Sequence, residues 1–182
     1  TDLFFYTILI SAAFFLFFTT TKELFLKKFN NVSQTVAHFG FSLLILSILF
    51  NNILSSEITT NIKVGERFNH IDGEIFFERI EEQNKSNFNS IIGYFKVTNN
   101  KGKVLELNPE IRVYNQPITI TSEADIKTTL LEDKFLVMNI VKGNEYFNIR
   151  YQVKPFMLWI WISVSILSLS GLISLFKKKH EK

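Results

Sequence analysis

Apolar residues are not spread evenly along this chain; they collect into three long runs, with the charged residues gathered between them. The first run is Leu3 to Phe18, the second about Thr35 to Leu54, and the third Phe156 to Phe176. Runs approaching the roughly 20 apolar residues needed to cross a bilayer core predict transmembrane helices. The first is slightly short for a span, and Asp2 precedes it where a secretory leader would carry lysine or arginine. A helix clipped by the start of a fragment is therefore expected there. Pro155 introduces the third run at a position suited to the first turn of a helix.

Between the second and third runs the period changes, and residues 57–153 read as strands. Ile91 to Thr98 is rich in β-branched and aromatic residues, Asn99-Asn100-Lys101-Gly102 is a hairpin signal, and Lys103 to Leu107 alternates. Glu74 to Ile80, Ile111 to Tyr114, Lys134 to Val141 and Tyr146 to Val153 predict further strands, the last two joined through Lys142-Gly143-Asn144. Glu123 to Leu131 predicts a short helix capped by Ser122. Strands at this spacing suggest a small antiparallel barrel or sandwich. The predicted fold class is thus an α + β membrane protein. Residues 1–54 hold two transmembrane helices (about 3–18 and 35–54) with a cytoplasmic loop. Residues 55–154 form an extracytoplasmic β-rich domain, and 155–182 a third span (about 156–176) with a cytoplasmic basic tail.

Charge placement supplies the orientation. Lys22, Lys27 and Lys28, opposed only by Glu23, lie between the first two runs, and Lys177, Lys178, Lys179 and Lys182, opposed only by Glu181, follow the third. Lysine-rich flanks stay cytoplasmic. With three spans the two clusters agree, and they place Thr1 and the stretch from Ser55 to Lys154 outside. Trp159 and Trp161 fall near the outer end of the third helix, where indoles favour the headgroup layer. The net charge of +3 therefore does not point to nucleic acid. The chain contains no cysteine, which excludes disulfides, thiolate metal sites and thiol catalysis within it.

Candidate chemistry is sparse. His38 lies inside the second run, about one turn from its cytoplasmic end, and helical spacing puts Gln34, Thr35 and Ser42 on its side. An imidazole turned to lipid is costly, so this stripe is expected to face protein. Three readings stay open: an axial haem ligand, a proton relay, or a histidine hydrogen-bonded to a hydroxyl of a neighbouring helix. His70, among Arg67, Asn69 and Asp72, reads as a solvated loop residue, and His180 belongs to the lysine tail. Asp2, Glu57, Asp72 and Asp133 show no paired-carboxylate spacing. The seven glycines form no phosphate loop, and no serine–histidine–aspartate set can be assembled. Arg112 either grips a ligand carboxylate, such as a haem propionate, or pairs with Glu110 or Glu123. Ser163, Ser165, Ser168, Ser170, Gly171 and Ser174 give the third helix small residues at helix-packing spacing, which signals partner helices.

Taken in order, these segments resemble the C-terminal part of the CcmF (CycK) family, the haem lyase component of the multi-subunit cytochrome c maturation system. The resemblance runs from about Ser33 to Leu175 and rests on four motifs. Ser33-Gln34-Thr35-Val36-Ala37-His38-Phe39-Gly40 is similar to the family's Ala-His helix motif. Pro109-Glu110-Ile111-Arg112-Val113-Tyr114 and Thr121-Ser122-Glu123-Ala124-Asp125-Ile126 resemble two motifs of its extracytoplasmic domain. Tyr151, Pro155, Phe156, Trp159, Ile160 and Trp161, with Gly171 further on, resemble the beginning of its last helix.

The resemblance implies that His38 is an axial ligand of haem b, one of two transmembrane histidines holding the iron. It implies support of covalent haem attachment to apocytochrome c. The implied partners are the remainder of the CcmF-type protein, a haem chaperone, thiol-handling subunits and the lipid bilayer. The implied location is the bacterial inner membrane with the β-domain periplasmic, or alternatively a mitochondrial inner membrane. Gln34 stands where the family has methionine, and Ile111 where it has a basic residue. The tryptophan-rich haem-handling segment and the second histidine lie upstream in the family. This chain is therefore expected to be a C-terminal fragment or one product of a split gene, without catalytic residues of its own. The rival expectation is a non-enzymatic membrane-anchored scaffold whose β-domain binds a partner protein.

Overall fold

A computed structural model of the chain describes residues 2–26, 31–141, 143 and 145–180. The expected roles of Lys27, Lys28, Lys142, Asn144, Glu181 and Lys182 lie outside the described residues, as do the side chains of Asp2, Lys177, Lys178, Lys179 and His180. The chain divides into two units. One comprises Thr1–Leu54, Thr129–Glu132 and Pro155–Lys182; the other comprises Ser55–Thr128 and Asp133–Lys154.

The first unit is built on α1 (Asp2–Leu26), α2 (Val32–Leu54) and α3 (Met157–His180). Among the described residues these three helices are long and apolar enough to cross a membrane. α1 does not stop at Phe18 as the apolar run suggests. The Thr19 and Thr20 hydroxyls donate to the carbonyls of Phe15 and Leu16, each at 2.8 Å, so the threonines are absorbed into the helix. α2 meets α3 through small residues. Ser33 Oγ donates to the Ser170 carbonyl at 2.7 Å, and a Cβ on Gly40 would lie 3.0 Å from Ile166 and 3.2 Å from Leu167. Close backbone approach of this kind replaces the hydrophobic drive that helices lack inside lipid. α1 meets α2 through Phe17 on Phe39 (ring centroids 5.5 Å apart) and Phe14 on Phe50 (6.0 Å).

The second unit is an antiparallel β-sandwich. Its strands are β1 (Ser56–Ile62), β2 (Arg67–His70), β3 (Gly73–Asn84), β4 (Phe88–Asn99), β5 (Val104–Leu107), β6 (Glu110–Asn115), β7 (Ile118–Glu123), β8 (Asp125–Thr128), β9 (Glu132–Ile140) and β10 (Phe147–Pro155). One sheet has the order β1-β10-β9-β8; the other runs β2-β3-β4-β6-β7, with β5 also on β4. β5 pairs with Phe95–Thr98 and β6 with Phe88–Ile92, so the two follow one another along the same edge of β4. Alternation buries Ile75 and Phe77 of β3, Phe95 and Val97 of β4, Leu136 and Met138 of β9, and Ile149, Tyr151 and Val153 of β10. The core is Ile62, Ile75, Phe77, Phe95, Val97, Leu107, Ile111, Leu136, Met138, Ile149, Tyr151 and Val153. Phe77 and Phe95 stack with centroids 4.2 Å apart. At the β4–β5 turn Gly102 takes φ +76°, and Asn99 Oδ1 accepts from the amides of Lys101 and Lys103.

The short helix expected at Glu123–Leu131 is absent. That stretch is the end of β7, all of β8 and the start of the β8–β9 turn. Ser122, expected as its cap, lies in β7 and donates from Oγ to Asn139 Oδ1. Pairing of Asp125–Thr128 with Asp133–Leu136 overrides the local helical preference.

Candidate functional site

In the helical unit the stripe expected around His38 is split by the actual packing. Thr35 and Ser42 are buried, and Ser42 Oγ donates to the Phe39 carbonyl at 2.8 Å. His38 itself is exposed, together with Gln34 one turn before it and Phe41 one turn after. Thr35 and Ser42 therefore serve helix packing, whereas Gln34, His38 and Phe41 share a second face that is exposed among the described residues. Among the described residues His38 has no hydrogen-bond or ion-pair partner, so both ring nitrogens are available. A neutral imidazole in this setting can offer a lone pair to a metal or a proton to a relay. No group of three or more His, Asp or Glu that could hold a metal ion occurs among the described residues.

α3 repeats the division. Ser163 and Ser170 are buried, while Trp161, Ser165, Ser168 and Gly171 are exposed. The Ser165 and Ser168 hydroxyls donate back to the carbonyls of Trp161 and Val164 at 2.9 Å each. A Cβ on Gly171 would meet nothing within 4 Å. The small residues of this helix thus lie on two faces, of which one is buried among the described residues and the other is exposed.

In the sandwich, His70 is not the solvated loop residue expected from its neighbours. It closes β2, its Nδ1 accepts from the Asp72 amide at 3.1 Å, and its ring stands edge-on to Tyr151 with centroids 5.0 Å apart. Asp72 Oδ2 accepts from Lys134 Nζ and, at 3.0 Å, from the Tyr151 hydroxyl. Burial holds the imidazole below its ordinary pKa, and Lys134 adds to the effect while Asp72 opposes it. The missed partners carried a signal. Lys134 has the same parity as Leu136 and Met138, so it points into the core and needs an acid there.

Arg112 takes the second of its two expected roles. Its Nη2 donates to Glu110 Oε2 at 2.8 Å, and Nη1 lies 4.0 Å from Glu123 Oε1. The guanidinium holds the Glu110 carboxyl below the usual range. Glu110 and Arg112 both lie in β6 and Glu123 lies opposite Glu110 in β7, so the cluster links these two neighbouring strands.

Comparison with known proteins agrees with this architecture. A family profile described as the CcmF C-terminal beta-sandwich matches residues 53–155. The cytochrome c-type biogenesis protein CcmF of Pseudomonas fluorescens is 25% identical over 145 residues, covering 80% of this chain and 22% of its own length. Its Escherichia coli counterpart is 25% identical over 154 residues, covering 85% and 24%. The probable cytochrome c-type biogenesis protein NrfE of Escherichia coli is 25% identical over 126 residues, covering 69% and 23%. The solved structure of a cytochrome c heme lyase CcmF superposes with a TM-score of 0.61 at 19% identity, covering 78% of this chain and 24% of that one. The chain spans about a quarter of the length of these relatives. With a three-helix membrane unit, a two-sheet antiparallel sandwich and a profile match over more than half its length, the chain belongs to the CcmF family.

Proposed function

We propose that this chain works in cytochrome c maturation as the C-terminal portion of a haem lyase, binding haem b in the membrane through His38. The observation that carries the proposal is the uncovered face of α2. An ionisable ring inside a span normally faces the bundle interior or a cavity and has a partner. His38 has none among the described residues, and Gln34 and Phe41 beside it leave a surface polar at one end and aromatic at the other. A flat, apolar group with an iron centre fits such a face, and an axial histidine would hold it with a neutral ring nitrogen. Bound there, haem b would supply a redox-active or structural iron centre. This chain's residues would position it: His38 by ligation, Gln34 and Phe41 by lining its edge.

Attachment of haem to apocytochrome c would belong to the larger assembly, with the remainder of the CcmF-type protein, a haem chaperone and thiol-handling subunits as partners. The location would be a bacterial inner membrane, or alternatively a mitochondrial inner membrane, and the lysine flanks support an orientation with residues 57–150 outside the cytoplasm or its equivalent. Single cysteines at Asn100 and Lys179 of this cysteine-free chain, treated with an impermeant thiol reagent in intact cells, test that orientation. Labelling is expected at Asn100, and labelling confined to Lys179 would reverse it. The haem reading is tested by His38→Ala in the complete assembly. The haem-to-protein ratio should fall or the Soret band shift, while His180→Ala leaves both unchanged. A His38→Ala protein with normal haem content and spectrum would refute the ligand role.

A further inference from the structure

We infer that the β8–β9 turn, Thr129–Glu132, is a membrane-inserting tip whose two leucines sit among lipid at the end of the helical unit. Leu130 and Leu131 are consecutive, and they are 70% and 66% exposed. Two such side chains at the point of a turn form a costly surface in water. The turn belongs to the same compact unit as the membrane helices, and two hydrogen bonds fix its height. The Leu131 carbonyl accepts from the Phe156 amide at 2.8 Å, and the Leu130 carbonyl accepts from the Trp159 indole Nε1 at 2.8 Å. Phe156 immediately precedes α3 and Trp159 lies in its first turn, and the apolar span begins at Met157. The leucines are therefore held at the level where the span enters the interfacial layer, and Trp159 is the residue type that resides there.

The anchorage is stiff. Phe156 adopts φ +60°, an uncommon conformation for a bulky residue. It is kept there by its amide bond to Leu131, by acceptance from the amides of Trp159 and Ile160, and by its ring 5.4 Å from that of Phe50. Asn51 Nδ2 donates to the Pro155 carbonyl at 2.6 Å, which ties the end of α2 to the same point. Ile53 and Leu54, at that end of α2, are also exposed apolar side chains.

The turn's polar backbone is fitted to a dry setting. Irregular backbone is tolerated in the low-dielectric layer only where its groups are paired. Besides the two carbonyls bound to α3, the Thr129 amide donates to the Glu132 carbonyl at 2.9 Å. Thr129 Oγ1 accepts from the Glu132 amide at 3.1 Å and from the Leu131 amide at 3.4 Å, and donates to the Glu132 carbonyl at 2.8 Å. A water-facing loop does not need this degree of internal pairing. The occupant of the leucine surface is lipid, because the turn is hydrogen-bonded to the start of an apolar helix long enough to cross a membrane.

The test is a nitroxide attached to single cysteines at Leu130 and Leu131 of the full chain in phosphatidylcholine nanodiscs. Collision rates are measured with oxygen and with a water-soluble nickel chelate. Sites at Leu169, in the span, and Asn100, in the β4–β5 turn, set the lipid and water limits. Both leucine sites should show an oxygen-to-nickel ratio several-fold above that at Asn100, approaching that at Leu169. A ratio equal to that at Asn100 would overturn the inference. So would nitroxides immobilised and shielded from both reagents, which would mean protein covers the tip. Should labelling disturb folding, a diazirine-bearing phosphatidylcholine photolysed with the unsubstituted chain gives a second readout. Adducts on the 129–132 peptide are expected, and adducts confined to the three helices would refute insertion.

Discussion

The sandwich and the helical unit solve the burial problem in opposite ways. The sandwich closes on itself: Ile75, Phe77, Leu107, Ile111, Leu136, Met138 and Ile149 are wholly buried, and even the inward lysine at 134 has its acid. The helices turn Phe4, Phe15, Phe18, Leu175 and Phe176 outward, and they leave an imidazole on an uncovered face. In water the second arrangement would be a defect. In a bilayer the outward phenylalanines are solvated by lipid, whereas the polar face around His38 calls for a protein or cofactor neighbour. The contrast separates a part that buries its apolar residues within itself from a part that turns them outward.

That contrast can be broken first in the sandwich core. Residues 55–154 expressed without the helices should show mainly β circular dichroism and a single cooperative melt, since strand order and core are internal to that segment. In that background Phe77→Ala removes a ring stacked on Phe95 and edge-on to Phe147, and should cost about 3–5 kcal/mol in urea unfolding. A loss under about 1 kcal/mol would show that the two sheets do not share one core.

A smaller effect is expected from pH. The fold holds His70 neutral, with its pKa lowered by burial and by Lys134 against the opposing pull of Asp72. The stability this gives is present above the unfolded histidine's value of about 6.5, and is lost as pH falls through that value toward the lower folded one. Protonation also places a proton on Nδ1, which now accepts from the Asp72 amide. The urea midpoint of the sandwich should therefore drop between pH 7.5 and 5, and His70→Gln should flatten that dependence. An unchanged slope in the variant would remove His70 as the cause.

The smallest effect belongs to the surface. Arg67 and Glu74 pair at 2.7 Å but are 61% and 42% exposed, so Arg67→Ala should change stability by no more than about 1 kcal/mol. A larger loss would implicate the stacking of Arg67 over Phe76.

What was legible in the sequence follows the same division. Strands with strong alternation, such as Ile91–Thr98 and Lys103–Leu107, announce themselves because one face is buried and the turn chemistry is local. The 123–131 stretch misleads because its strand character comes only from pairing with β9. His38 is legible as an odd residue in an apolar run. That Thr35 and Ser42 leave its face is not, because the choice depends on where α1 and α3 pack. The His70–Asp72–Lys134–Tyr151 cluster joins the end of β2 and the β2–β3 turn to β9 and β10, so the parity of Lys134 shows that it needs an acid but not which one.

The central claim is that the uncovered face of α2 places a nitrogen ligand on iron, and His38→Met in the complete assembly tests it most directly. A thioether in place of the imidazole raises the reduction potential of a low-spin haem. Redox titration of the purified variant should give a higher midpoint potential and an altered reduced spectrum at undiminished protein yield. A midpoint and spectrum identical to those of the unsubstituted assembly would contradict the account.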